Sequence, residues 1–228
     1  LGLEPVVGPD QWFQDFEFTA GVDLGDDNRF QVADGKAYQV NKDWRPLAFS
    51  QTGEVAASEV VFAGYGIVAP QDGEQEEYDS YVHLDVKDKW VCVLRFMPND
   101  ISAERRQHLG GHSSLRYKAM VARDRGARGL IVVSGPQSQV KQQLVKLQFD
   151  GSMAGSSIPV VSVTDQVVAD WLQQQGKVFA DLQAKLDQGE LAMGFAIPDV
   201  KLQAKISIQK VKKQGRNVLG RLKADNGK

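Results

Sequence analysis

The chain has 228 residues, 42% apolar and 25% charged, enough to bury one large core or a core with appendages. Its 27 basic and 29 acidic side chains nearly cancel to a net charge of −2, so no basic footprint argues for nucleic acid. No apolar run approaches the ~18 residues of a membrane span, and a single cysteine, Cys92, excludes an intrachain disulfide.

The N-terminus, LGLEPVVG, lacks a charged n-region and an apolar h-region, so any signal peptide is expected to have been removed or never encoded. Gln11 to Phe18 alternates Trp12, Phe16 and Phe18 with polar residues, a strand pattern broken by Phe13. Gly21 to Asn28 reads as a loop, Arg29 to Val40 as weakly strand-like, and Leu47 to Val61 as a hairpin about Thr52-Gly53. The strand ending at Val60, Val61 and Phe62 meets a bend at Gly64-Tyr65-Gly66, and Pro70 forbids further pairing. Trp90 to Phe96 is nearly continuous apolar, as expected of a strand covered on both faces, with Cys92 a buried, inert thiol within it.

Met97 to His112 is polar and holds Pro98, Asn99, Gly110 and Gly111, the composition of a long surface loop. Ser113 or Ser114 caps a helix to about Arg125, with Leu115, Ala119 and Ala122 on one stripe and Gly126 as its stop. Strand Leu130 to Val133, a weak helix from Gln137 to Leu147, a loop from Asp150 to Ser157 and strand Ile158 to Val163 follow. Thr164 starts a helix to Gln175, and a second runs from Val178 to Asp187 with Phe179, Leu182 and Leu186 at helical spacing. The alternation from Val200 to Ile208 predicts a long strand. Strands separated by helices from Trp90 to Gln175 call for parallel neighbours, and the flanking strands make the sheet mixed.

The wording VVFAGYGI, then AP, then YDSYVHLDVKDKWVCVLR, resembles the protease-associated (PA) domain of secreted zinc aminopeptidases of the aminopeptidase Y and glutamate carboxypeptidase family. Asp85, Val86, Lys87 and Lys89 keep that pattern, with Asp88 where the family usually has Gly and His83 where it often does. Arg116, Lys118, Ala119, Ala122, Gly126, Ala127 and Gly129 match its R-x-K-A, A and G-A-x-G elements. The resemblance covers nearly the whole chain. It implies a swivelling β/β/α fold: α/β, with a mixed sheet or open barrel flanked by helices. Residues 1–45 would be a lead-in with a strand of the parent peptidase domain, 46–210 the PA domain, and 211–228 the strand that returns to the peptidase. Gln11 to Phe18 is then expected antiparallel to Asn217 to Leu222.

Several patterns could carry chemistry. His83-Leu84-Asp85 and Glu76-Glu77 spell fragments of a dinuclear zinc site, but too few ligands converge there for a complete one. His108 and His112 are separated by Gly110 and Gly111, which cost about 1 kcal/mol each in a helix and disfavour a shared helical face. There is no Gly-x-Ser-x-Gly elbow, and the glycine bends match no phosphate loop. Tyr65, Arg105, Arg106, Arg116 and Tyr117 remain as candidate contacts to substrate or partner, an Arg fork being suited to a carboxylate. The expectation is a non-catalytic module, inactive alone, that caps the cleft of a zinc metallo-aminopeptidase and modulates peptide access. It would hold no cofactor, zinc lying in the catalytic domain, and would be secreted or periplasmic. Its partners would be the parent peptidase domain and peptide substrate, with no nucleic acid and no membrane span. The alternatives are a free-standing PA-like module that binds peptides or proteins, and a complete hydrolase using His83, Asp85 and Glu77.

Overall fold

A computed structural model describes residues 2–140, 142–152, 155–189 and 193–223. In chain order the strands and helices are β1 (Leu3–Pro5), β2 (Phe13–Leu24), β3 (Arg29–Val32), β4 (Trp44–Pro46), β5 (Gly53–Phe62), β6 (Val68–Ala69), β7 (Tyr78–Asp79), β8 (Trp90–Leu94), α1 (Ala103–Gly110) and α2 (Leu115–Asp124). They continue with β9 (Gly129–Val133), β10 (Val160–Val163), α3 (Asp165–Gln173), α4 (Phe179–Asp187), β11 (Phe195–Ile206), β12 (Ile208–Val218) and β13 (Gly220–Leu222).

Seven strands form one mixed sheet in the order β3-β11-β5-β8-β9-β10-β4. The run β5-β8-β9-β10 is parallel, and β3, β11 and β4 pair antiparallel. Its two edges approach one another through residues 33–43: Tyr38 donates its amide to Phe30, and the Phe30 and Trp44 rings stand 5.2 Å apart. The result is a nearly closed sheet with four helices outside it, the mixed α/β arrangement that the PA resemblance implies. β8 and β9 are buried along their whole length, and accordingly their sequences, WVCVL and GLIVV, carry no polar residue rather than alternating. One side chain set of the sheet, including Trp44 and Trp90, fills the core with Trp171 of α3 and residues of α4, and the other packs under α2. Burial pushes the Cys92 thiol upward, as expected of an inert residue.

Four local expectations are corrected. Residues 47–51 do not fold back on β5; Leu47 and Gln51 donate to Val160 and Ile158, so this stretch runs beside β10 and leaves β5 to β8 and β11. Gly21 to Leu24 is strand, because β12 supplies partners for it. Met97 to His112 holds α1, nucleated by Ser102, whose side chain caps the Arg105 amide at 3.1 Å; only Leu109 of it is buried, so it showed no apolar stripe. Residues 137–140 and 142–147 form no helix. Side chains from elsewhere take their amides: Gln183 bonds Gln137 and Ser162 bonds Val145. The 150–157 loop and the last stretch include residues 153, 154 and 224–228, which lie outside those described.

His83 and Asp88, standing where glycine is usual in the resembling family, adopt φ of +59° and +58°. That region costs a side chain about 1–2 kcal/mol, less for Asp than for His. His83 is exposed, so its replacement loses no packing. Net of glycine's larger unfolded-state entropy, His83→Gly is expected to stabilise the fold by about 0.5 kcal/mol, a rise of one or two degrees in Tm by calorimetry, with Asp88→Gly smaller. A fall for His83→Gly contradicts the account.

Candidate functional site

Because β5, β8 and β9 are parallel neighbours, the segments after them emerge at one end of the sheet, where ligand crevices of α/β proteins form. Tyr65 follows β5, Phe96, Asn99 and Asp100 follow β8, and Gln137 to Val140 follow β9. The last turns of α4 close the far side with Gln183, Ala184, Asp187 and Gln188. Together they wall a cleft of about 740 Å³.

The bend Gly64-Tyr65-Gly66 seats Tyr65. Both glycines have positive φ, +54° and +62°, and the Gly64 carbonyl accepts the Leu94 amide at 2.8 Å, locking the turn onto β8. The Tyr65 ring is thereby buried and its hydroxyl donates to Asp187 Oδ1. Burial, reinforced by that carboxylate, pushes the Tyr65 phenol far above its ordinary value, so it stays a donor. Asp187 is only 4% exposed; its Oδ1 also accepts the Asn99 amide at 3.2 Å, and its carbonyl accepts the Asp100 amide at 2.8 Å. Gln183, one turn earlier on α4, is 2% exposed and accepts the Gln137 amide at 2.9 Å.

Lys118 stands behind this wall. It is fully buried on α2 and its Nζ donates to the carbonyls of Leu94, Arg95 and Phe96 at 2.7, 3.3 and 2.6 Å. The turn that carries Phe96 into the cleft is thus held by one ammonium. Burial drives the Lys118 amine below its ordinary value, while three acceptors match the three N–H groups of the charged form.

Of the five residues singled out in the sequence, Tyr65 alone lines the cleft. Arg105, on α1, reaches the Glu76 and Glu77 carbonyls and the His108 ring, and Arg106 donates to the Asn99 carbonyl. Arg116 forks onto Asp150 at 2.8 and 3.0 Å over the Phe49 ring, and the Tyr117 hydroxyl donates to Val68 at 3.0 Å. The arginines therefore brace surface loops, each fork turned toward acceptors of its own chain. His108 sits in the last turn of α1 with Nε2 2.8 Å from the Pro70 carbonyl, and His112 lies beyond the helix, their rings 6.2 Å apart. Among the described residues no group of three or more His, Cys, Asp or Glu is placed to hold a metal, and no helix is long and apolar enough to cross a membrane.

Asp187, Gln183, Asn99 and Asp100 were not singled out from the sequence. A signal existed: Phe179, Gln183, Leu186 and Asp187 fall at i, i+4, i+7 and i+8, so two polar residues occupy core-facing positions of α4.

A second surface is the ribbon of β2 and β12, paired antiparallel from Phe13↔Val218 to Leu24↔Ile208, with one register shift after Val211. Of the expected pairing of 11–18 with 217–222, Phe13 and Gln14 face Val218 and Asn217, and the Trp12 carbonyl takes the Leu219 amide. Gly220 to Leu222 pairs instead with Leu3 to Pro5. One ribbon face carries the ion pairs Asp15–Arg216 and Glu17–Lys212, at 2.6 and 2.5 Å. On the other, Phe16 lies across Gly215, where any Cβ would meet its ring, with Phe18 6.0 Å away. Phe13, Phe16, Phe18 and Val218 are 52, 40, 42 and 70% exposed.

No protein-family model and no curated protein matches the chain. Among solved structures, a zinc aminopeptidase from Bacillus subtilis (BSAP) is similar over 90% of this chain and 35% of its own, with 14% identity and a TM-score of 0.47. A peptidase M28 precursor from Shewanella amazonensis SB2B is similar over 92% of this chain and 40% of its own, with 13% identity and a TM-score of 0.41. The chain therefore spans well under half the length of either.

Proposed function

We propose that this chain is a non-catalytic protease-associated module that packs against a zinc aminopeptidase domain through its β2–β12 ribbon and caps that domain's cleft. The observation that carries the reading is the ribbon itself. A two-stranded ribbon is marginal in water, and this one exposes Phe16 and Phe18 on one face and Phe13 with Val218 on the other. A covering domain would remove both liabilities. The GYGI bend, the DVKDK turn and the RYKA helix of the PA resemblance support an aminopeptidase domain as that cover.

The purified chain is expected to retain well under one zinc per molecule after dialysis and to show no hydrolysis of leucine anilide. About two zinc per chain with turnover would replace this reading by that of a complete hydrolase. Hydrogen exchange tests the ribbon on the same sample. Amides of 13–18 and 213–218 are expected to exchange orders of magnitude faster than those of β8 and β9, since only one neighbouring strand protects them. Protection equal to that of the central sheet would mean that the ribbon needs no further partner.

A further inference from the structure

We propose that the cleft at the carboxyl ends of β5, β8 and β9 binds the free amino terminus of a short peptide, with Asp187 receiving the ammonium. The lining contains two carboxylates, Asp100 and Asp187, whose potential favours a cation. Asp187 is the more informative of the two. Its Oδ1 accepts from the Tyr65 hydroxyl and the Asn99 amide, which leaves Oδ2 as the carboxylate oxygen free to meet a ligand among the described residues.

The rest of the lining narrows the cation. Asn99, Gln137, Gln139 and Gln188 bring amide side chains and Ser138 a hydroxyl, a set that both donates and accepts. A bare metal ion would use oxygens alone and want more of them at closer range. An ammonium followed by peptide groups uses the carboxylate at one end and the amides beyond it. The volume of about 740 Å³ falls within the range of small-ligand sites. The inference needs no parent peptidase: a cleft that binds no amine leaves the docking ribbon as it is, and a ribbon that needs no partner leaves the cleft as it is.

The test is a titration of the ¹⁵N-labelled chain with alanyl-alanine amide, N-acetyl-alanyl-alanine amide and N-acetyl-lysine amide, followed by NMR. The free-amine dipeptide is expected to shift the amides of Tyr65, Asn99 and Gln137 saturably. Blocking the amine by acetylation is expected to weaken binding at least tenfold, and N-acetyl-lysine amide, whose ammonium sits on a long side chain, to bind several-fold more weakly. Asp187→Asn is expected to abolish discrimination between free and acetylated dipeptide. Should that variant not fold, Asp100→Asn, at the cleft rim, is expected to weaken the free amine several-fold and leave the acetylated peptide unchanged. Equal binding of free and acetylated peptide, equal or tighter binding of the lysine derivative, or no saturable shift at these amides overturns the proposal.

Discussion

Lys118→Met is expected to lower Tm by about 6–12 °C. The substitution keeps the length and the apolar stem of the side chain and removes the ammonium, leaving the carbonyls of Leu94, Arg95 and Phe96 without their donor in a fully buried site. Each buried acceptor so orphaned costs about 1–3 kcal/mol, so a loss of about 3 kcal/mol is the low end for the three. For a chain of this length each kcal/mol moves Tm by about 2–4 °C. The pH dependence supplies a second readout. Below its folded pKa Lys118 is the ammonium that the three carbonyls hold; between the folded and unfolded values it gives up its proton on folding, so there the unfolded state binds more protons. Stability therefore climbs with pH through that window and its benefit is lost as pH falls through the folded value; in the methionine variant the climb from this site disappears. A Lys118→Met protein as stable as the parent, with an unchanged alkaline profile, would show that the turn after β8 does not depend on the ammonium.

Gly66→Ala is expected to cost about 2–5 kcal/mol, from two causes that act together. Gly66 has φ of +62°, which an alanine adopts at a cost of about 1–2 kcal/mol, and its Cβ would stand 2.5 Å from Cγ1 and 3.0 Å from Cβ of the fully buried Val93. Val93 belongs to the all-buried strand β8 and cannot withdraw without disturbing the sheet, so overpacking adds about 1–3 kcal/mol. Gly176→Ala separates the two: its φ is +65°, but no atom lies within 4 Å of the added carbon, so only the backbone cost of about 1–2 kcal/mol remains. Denaturant midpoints that are equal for the two variants would remove the packing half of the argument. Because Gly66 follows Tyr65, the first variant is also expected to speed hydrogen exchange of the residues that wall the cleft.

Much of the architecture was legible because it was written in local patterns. The unbroken apolar runs at 90–94 and 130–133 marked doubly covered strands, and the Ser114 cap and Gly126 stop bounded α2 to within a residue or two. The resemblance carried the overall fold and the approach of the two chain ends. The cleft was legible only at Tyr65, whose flanking glycines announced a bend. α1 went unread because it buries a single residue, and the arginines drew attention through charge although their partners lie in loops 7 to 34 residues away.

By itself the sequence determined the parallel strand–helix succession from Trp90 to Gln175 and the glycine bend that aims Tyr65. These follow from neighbours along the chain, whose spacing is fixed by covalent geometry. Only the tertiary structure decided that Asp187 meets Tyr65 across 122 residues, that Lys118 holds the turn after β8, and that β2 pairs with β12 in a ribbon separate from the main sheet. Those contacts depend on which strands become neighbours. That choice is made by burying apolar faces together, a property of the whole chain that no local window contains.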